Sequence, residues 1–234
     1  MPRPRDEAAR QETIQQIKAI ARQQMADNGT AGISLRAIAR QMGVTAPAIY
    51  NYFSRLDNLI TALIVDAFNG LGDAVQDAVQ SQTNLALQFK TGANAYRQWA
   101  LDHAADFQLI YGNPIPGYEA PSEVTVPLAI RPLVTFYTTL FTAWQVGEVT
   151  IPQPYKHIPP TVKQFMKDFI ERDVPQIAEA PTELFYLLHV AWSRFHGMVM
   201  LELFHHSPAS LGDPTAFYKH EVDVFLREIG FAIA

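Results

Sequence analysis

Residues 34–55 hold the side chains with the clearest capacity for chemistry in this 234-residue chain. Guanidinium groups bind phosphate oxygens, hydroxyl and amide groups reach base edges, and small apolar groups touch thymine methyls. This segment supplies all three kinds of group at the spacing of two short helices, which favours contact with double-stranded DNA. The candidate residues are Ser34, Arg36, Arg40, Ala46, Pro47, Ala48, Tyr50, Asn51 and Arg55. For each arginine, solvated surface charge is the alternative interpretation.

Two short helices, at about residues 35–42 and 46–52, are predicted to position these groups. Gly43 can adopt the left-handed conformation that ends the first helix, and Thr45 can cap the second. A helix N-terminus after Ser34 can accept a phosphate. A small core between the helices is expected from Ile38, Met42, Val44, Ile49 and Tyr52. The pattern indicates a helix-turn-helix, whose second helix enters the major groove; an ordinary helical hairpin is the alternative.

Charge is distributed unevenly along the chain. The formal net charge is −5, which by itself argues against binding to nucleic acid. Residues 1–55, however, contain eight basic and four acidic side chains and carry +4, including Arg3 and Arg5. The remaining ten basic and nineteen acidic side chains give −9. This asymmetry favours a segment that faces nucleic acid, attached to an acidic body, although a chance fluctuation in surface charge stays open.

Helical periodicity continues through the rest of the chain, and no segment alternates like a strand. Asn28-Gly29 is a helix-end signal, Asp213-Pro214 is a helix-start signal, and Pro132 is expected to kink the helix that contains it. The fold class is therefore predicted to be all-α. Beyond residue 55, helices are expected at about 56–80, 84–103, 104–111, 124–147, 161–173, 182–205 and 214–231.

Several classes of function are disfavoured by composition and motifs. The absence of cysteine excludes disulfides and thiolate chemistry. No apolar run reaches the roughly 18–20 residues that span a membrane, and the N-terminus lacks the features of a signal peptide. We therefore expect a cytoplasmic protein with no membrane association. The seven histidines show no convergent metal-ligand spacing, and no catalytic or phosphate-loop motif occurs. We predict no catalytic residues, metal or cofactor, and hence no enzyme.

Aromatic residues are frequent after residue 98. Each one alone is most simply part of a helical core, but aromatics with a few polar groups between helices also form apolar ligand pockets. We predict that such a pocket binds a small apolar or aromatic effector, with His103 as a polar anchor. Its candidate residues are Trp99, His103, Phe107, Tyr111, Tyr137, Phe141, Trp144, Trp192 and His196.

The segment GISLRAIARQMGVTAPAIYNYFSRLDNLITAL resembles the DNA-binding signature of TetR-type transcriptional regulators. The resemblance implies an N-terminal three-helix DNA-binding domain at residues 1–55 and an all-helical ligand-binding and dimerisation domain at 56–234. It also implies that Thr45 and Tyr52 join Ala46, Pro47, Tyr50 and Asn51 as recognition positions. Members often carry a phosphate-binding lysine where this chain has Leu56, so Arg55 is the candidate replacement.

A second, more local resemblance lies near the C-terminus. Trp192, His196 and Gly197 look like the Trp-His-Gly pattern of one C-terminal subfamily of these regulators, and their spacing is helical. The last two helices, at 182–205 and 214–231, carry apolar residues on more than one face. This surplus predicts a homodimer that buries them as a four-helix bundle, with burial inside one chain as the alternative.

Together these features predict a repressor that binds a palindromic operator as a homodimer and is released by a small effector. A helical ligand-binding or catalytic domain, with the helix-turn-helix as a packing module, is the first alternative. A DNA-binding protein that is controlled by a protein partner, without any small ligand, is the second.

Overall fold

The computed structural model describes the backbone of residues 4–233 and their side chains, except those of residues 4–6 and 176. Arg3 and Arg5, counted above in the positive charge, lie outside the described side chains. Every regular element within residues 4–233 is helical and none is a strand, which confirms the all-α prediction. The α-helices are α1 (Pro4–Asn28), α2 (Leu35–Gln41), α3 (Ala46–Tyr50), α4 (Leu56–Gln80), α5 (Leu85–Asp102), α6 (Ala104–Tyr111), α7 (Ser122–Ala129), α8 (Arg131–Gln145), α9 (Pro160–Asp173), α10 (Thr182–Leu203) and α11 (Pro214–Glu228).

Two predicted helix boundaries are confirmed by their hydrogen bonds. Gly29 has a φ of +77° after α1, and its amide donates to the carbonyl of Met25 at 2.8 Å. At the start of α11, one carboxylate oxygen of Asp213 accepts from the amides of Thr215 and Ala216 at 2.9 and 3.1 Å. Local sequence predicts these boundaries because each needs only a few neighbouring residues.

The predicted helix at 124–147 is two helices, and the expected kink at Pro132 is wrong. The break falls at Ile130, between α7 and α8, and Pro132 lies in the first turn of α8. A proline in a first turn has no intrahelical amide bond to lose, so it is compatible with a helix start.

The segment Ser122–Gln145, taken as one, is long and apolar enough to meet the length and composition of a membrane span. This finding differs from the expectation that no segment would qualify. The segment is weak evidence for a membrane span, because core helices of soluble proteins have the same length and composition. It also contains Arg131 and the break at Ile130.

The helices form two compact units. Unit 1 contains residues 4–69 and 103–126, and therefore α1, α2, α3, the first part of α4, α6 and most of α7. Its core is mostly aliphatic and also contains the buried rings of Phe53, Phe68 and Phe107. The most deeply buried members are Ile17, Ala21, Ile38, Ile49, Leu59, Leu63 and Phe107.

Unit 2 contains residues 70–102 and 127–233, with the remainder of α4, α5, α8, α9, α10 and α11. Its core is richer in aromatic rings, among them Phe89, Tyr137, Phe185 and Tyr218. Arg97 is also buried there; it donates to both carboxylate oxygens of Glu202, at 2.8 and 2.5 Å, and to the Thr215 hydroxyl at 2.8 Å. This ion pair joins α5, α10 and the start of α11.

Candidate DNA-binding surface and candidate effector pocket

The start of α2 is fixed by two buried or half-buried polar groups. Ser34 is the N-cap, and its hydroxyl accepts from the amide of Ala37 at 3.3 Å. The amide of Ser34 in turn donates to the side-chain carbonyl of Gln24, a buried residue of α1, at 2.9 Å. A tertiary hydrogen bond therefore sets where α2 begins, in addition to the local cap.

The turn after α2 has the predicted glycine geometry. Gly43 has a φ of +70°, and the following amide, of Val44, donates to the carbonyl of Ala39 at 3.0 Å. Only glycine adopts this conformation without steric cost. Ala39 is almost fully buried, as expected for a small residue where the two helices approach each other.

The small core between α2 and α3 is only partly as predicted. Ile38 and Ile49 are fully buried, but Val44 is 41% exposed and is therefore not a core residue. Its position in a tight turn directs it to solvent. Thr45 occupies the predicted N-cap position of α3 with an extended backbone, but among the described groups its side chain makes no capping hydrogen bond. Its carbonyl accepts from the amide of Ala48 at 3.0 Å.

The outer face of α2, the turn and α3 presents most of the predicted DNA-binding side chains to solvent. Four of the candidates are half-buried, namely Ser34, Ala46, Ala48 and Tyr52. The absence of a capping hydrogen bond leaves the Thr45 hydroxyl on this face. The exposed members are Arg36, Arg40, Thr45, Pro47, Tyr50 and Asn51. We call the set of exposed and half-buried candidates from Ser34 to Tyr52 the α2–α3 surface.

Arg10 of α1 supports the end of this surface and was missed by sequence reasoning. Its guanidinium lies over the Tyr52 ring, 5.1 Å from the centroid, and donates to the backbone carbonyl of Asn51 at 3.4 Å. A cation over an aromatic ring is attractive, so Arg10 holds Tyr52 against α1. The sequence offered no signal for the contacts of Arg10 with Asn51 and Tyr52, because these partners lie more than 40 residues further along the chain.

Arg55, the candidate replacement for a phosphate-binding lysine, pairs with Asp57 at 2.8 Å. Its side chain is 75% exposed, so this pair is weak and solvated. Arg55 therefore remains accessible to an anion, and its proposed role stays a prediction.

Two further cations of α1, Lys18 and Arg22, pair with acidic residues within unit 1. Lys18 pairs with Asp66 of α4 at 2.8 Å, and Arg22 bridges Asp66 and Asp106 of α6 at 3.2 and 2.9 Å. Burial raises the pKa of Asp106, and the neighbouring Arg22 opposes that rise. Part of the +4 counted in the sequence is thus neutralised by acids from α4 and α6, and only the outward arginines contribute to the α2–α3 surface.

The nine predicted effector-binding residues divide between the two units. His103, Phe107 and Tyr111 lie in unit 1, where Phe107 and Tyr111 pack with ring centroids 5.0 Å apart. The other six lie in unit 2: Trp99, Tyr137, Phe141, Trp144, Trp192 and His196. Sequence could not make this division, because α5 and α6 are adjacent in the chain yet belong to different units.

Trp192 and His196 are brought together as their helical spacing predicts. Their rings stack with centroids 4.9 Å apart, and the Tyr96 hydroxyl lies 2.8 Å from the Nδ1 atom of His196. Burial lowers the pKa of His196, which favours the neutral ring. The role of Tyr96 as a partner of His196 was not predicted. The only signal for it in the sequence is that Tyr96 falls on the apolar face of α5, which is buried.

Trp192 and Tyr96 also line a narrow, almost wholly apolar cavity of about 20 Å³ between α5, α8, α10 and α11. Aromatic rings form most of its wall. We call it the aromatic cavity, and its other aromatic members are Phe89, Phe136, Phe195 and Tyr218. It has room for about one water molecule and none for an aromatic ligand.

The other predicted pocket residues in unit 2 pack elsewhere. Trp99 is buried against Gly70, where a side chain would bring a Cβ atom within 3.3 Å of the indole nitrogen. Phe141 stacks between Tyr137 and Trp144, and Trp144 is 37% exposed. No group of three or more metal-ligating side chains is found among the described residues.

The fold and the exposed α2–α3 surface define a helix-turn-helix regulator that binds DNA, and two family models agree. The model described as bacterial regulatory proteins of the tetR family matches residues 17–63. The model described as a tetracyclin repressor-like C-terminal domain matches residues 89–225. This chain therefore belongs to the TetR family of transcriptional regulators, which is a non-enzymatic family.

Individual relatives cover most of the chain. The HTH-type transcriptional regulator Rv1816 of Mycobacterium tuberculosis is 33% identical over 206 residues, covering 84% of this chain and 82% of its own. Among solved structures, the regulatory protein SCO4313 is 30% identical, with a TM-score of 0.78, over 97% of this chain and 100% of its own. RolR, solved in complex with resorcinol, shares the fold at 15% identity and a TM-score of 0.52, over 96% of this chain and 91% of its own.

Proposed function

We propose that this protein is a cytoplasmic repressor that binds a palindromic operator as a homodimer and is released by a small apolar or aromatic effector. The observation that carries the proposal is the α2–α3 surface, which presents Tyr50, Asn51 and Thr45 beside the exposed Arg36 and Arg40. Hydroxyl and amide groups read base edges, and arginines bind the flanking phosphates.

The proposed domain boundary follows the function of each part. Residues 1–55 form the DNA-binding domain, and residues 56–234 carry effector binding and dimerisation. Helix α4 belongs to both compact units, so it is the element through which a change in the body reaches the DNA-binding domain. A coupling of about 1–3 kcal/mol is typical of such regulation and requires that the effector bind the DNA-free state more tightly.

Dimerisation is assigned to α10 and α11. Most of the apolar residues that suggested it, such as Leu184 and Phe225, are buried inside unit 2. A smaller apolar strip stays at least partly exposed near the end of α10 and the start of α11: Met198, Leu201, Phe204 and Phe217. Gly197 has open space where a side chain would lie, which permits close approach of a second helix.

The effector site is assigned to the aromatic cavity, with the Tyr96–His196 pair as its polar end. Because the cavity holds only about 20 Å³, an effector binds only if the rings separate, and this rearrangement supplies the second conformational state. We also assign Trp192, His196 and Gly197 to the Trp-His-Gly subfamily; of these three residues, Trp192 lines the cavity. RolR illustrates that a protein of this fold binds an aromatic diol.

The test is a footprint of the purified protein on genomic DNA, followed by gel-shift titration of the recovered sites. We expect a palindromic site that binds two chains, and a library of small aromatic compounds should contain at least one that releases it. Uniform binding to all DNA would refute operator recognition. Sites that bind specifically, but are released by no small compound, would favour control by a protein partner.

A further inference from the structure

A second and much larger cavity lies within unit 2, apart from the aromatic cavity. It is a groove of about 640 Å³ between the end of α4, the start of α5 and one face of α8, with Asp173 at its rim. We call it the threonine groove, because four of its lining residues are the threonines of α8: Thr135, Thr138, Thr139 and Thr142. Pockets of 300–1,000 Å³ are the usual size for small-molecule ligands.

The four threonine hydroxyls have already used their hydrogens. Each one donates to the backbone carbonyl four residues earlier, at distances between 2.9 and 3.2 Å. A hydroxyl that donates in this way still has a lone pair that can accept. The α8 face of the groove is therefore a row of hydrogen-bond acceptors interleaved with methyl groups.

The charges at the groove are neutralised within the protein. Arg131 donates to Asp73 at 2.6 Å and to the side-chain carbonyl of Gln76 at 2.7 Å. Asp173 pairs with Arg172 at 2.7 Å. An ionic ligand would have to compete with these pairs, so the groove favours a neutral one.

Core packing accounts for Thr139, which is buried, but not for the other three threonines. Thr138 is exposed, and Thr135 and Thr142 are half-buried. Threonine inside a helix is less favourable than alanine, because its branched side chain loses rotamer freedom. Four threonines on one stripe of α8 therefore make this helix less stable than four alanines would. A ligand that binds to their oxygens explains why threonine occupies these positions.

We propose that the threonine groove binds a neutral polyhydroxylated molecule, a sugar or a polyol. The hydroxyls of such a molecule donate to the threonine oxygens and to the carbonyl of Gln88, whose amide nitrogen already donates to Gln82 at 2.9 Å. Its C–H faces pack on the threonine methyls and on Val134. A ligand without donors cannot satisfy this surface, and an anion finds no unpaired cation among the lining residues.

The test is isothermal titration of the full-length protein with glucose, myo-inositol and trehalose. At least one of these should bind saturably, and neither the permethylated form of glucose nor glucose 6-phosphate should match it. The Thr135→Val and Thr139→Val variants keep the side-chain shape but lose the acceptor, so each should weaken binding about tenfold. The Thr161→Val variant, at an exposed position of α9 outside the groove, is the matched control and should bind like the wild type.

Three results would overturn the proposal. The first is that no neutral probe binds saturably up to about 50 mM, a range in which millimolar affinity is measurable. The second is that the permethylated or phosphorylated probe binds more tightly than the neutral sugars, and the third is that the wild type and both groove variants bind with equal affinity. Thr138→Val, at an exposed position that is tolerant of change, repeats the comparison if a more buried variant fails to fold. The titration contains no DNA, so its failure would leave operator binding untouched.

Discussion

The α2–α3 surface of unit 1 collects its binding groups from one continuous segment, whereas the aromatic cavity of unit 2 collects residues from α5, α8, α10 and α11. In the first, the groups point outward and their helices are set by local caps and turns. In the aromatic cavity, the rings point inward, and no two helices are enough to enclose the cavity. A short motif can therefore specify a surface, but an enclosed site requires the packing of the whole unit.

The two units also treat buried charge differently. In unit 1, Lys18 and Arg22 share Asp66, whose side chain is 32% exposed, and Arg22 also pairs with the buried Asp106. In unit 2, Arg97 is 6% exposed and depends on Glu202 and Thr215. The Lys18–Arg22 cluster neutralises part of the positive charge of the DNA-facing region, whereas the Arg97 cluster fixes three helices to one another. Four comparisons between variants test how the two units differ.

The largest effect is expected from Arg97→Met. Removing the guanidinium leaves Glu202 partly buried without its partner, which should lower the free energy of unfolding by about 3 kcal/mol. Urea titration at a fixed protein concentration measures it. The control is Lys163→Met, which removes the more exposed partner of Glu183 and should cost less than about 1 kcal/mol. Equal effects would mean that burial of the Arg97 pair is energetically unimportant.

The next effect concerns the α2–α3 surface. Tyr50→Ala should weaken specific operator binding about tenfold or more while leaving the free energy of unfolding unchanged, because Tyr50 is 43% exposed. Gel-shift titration gives the affinity. Phe165→Ala, at a 76% exposed aromatic residue of unit 2, should bind DNA normally. Wild-type affinity for the Tyr50 variant would remove α3 from the proposed interface.

Two buried tyrosines of unit 2 form a matched pair. Removing the hydroxyl group from each should give free energies of unfolding that differ by about 1 kcal/mol. The Tyr218 hydroxyl donates to the carbonyl of Ala93 at 2.8 Å, so Tyr218→Phe should destabilise the protein. The buried hydroxyl of Tyr137 has no hydrogen-bond partner among the described groups, so Tyr137→Phe should be neutral or stabilising. Burial raises both phenol pKa values, which keeps both groups protonated at neutral pH. Equal losses from thermal or urea unfolding would show that Tyr137 has a partner in solution.

The smallest effect is expected in the salt dependence of DNA binding. Arg36→Ala should reduce the slope of log affinity against log salt concentration by about 1, because one phosphate contact is lost. Arg172→Ala, at an exposed arginine of unit 2, should leave the slope unchanged. An unchanged slope for both variants would identify Arg36 as ordinary surface charge.

The residues that were predicted correctly depend on neighbours in the chain. Gly43, Gly29 and Asp213 adopt their expected conformations or caps, because turns and helix ends are governed by a few adjacent residues. Val44 was wrongly assigned to the core, and Thr45 occupies the N-cap position without the expected side-chain hydrogen bond, although both lie in the same motif. Their roles depended on side-chain direction in the tight turn, which the residue types alone do not specify.

The sequence by itself determined the helical class, the helix-turn-helix and the family of regulators, because each is encoded in local spacing and residue type. The tertiary structure decided which aromatic residues meet, since His103 and Trp99, four residues apart, belong to different units. It also decided that Tyr96 reaches His196 across 100 positions and that Arg10 supports Tyr52. Such contacts arise when helices pack their buried faces together, and periodicity identifies a face without naming its partner.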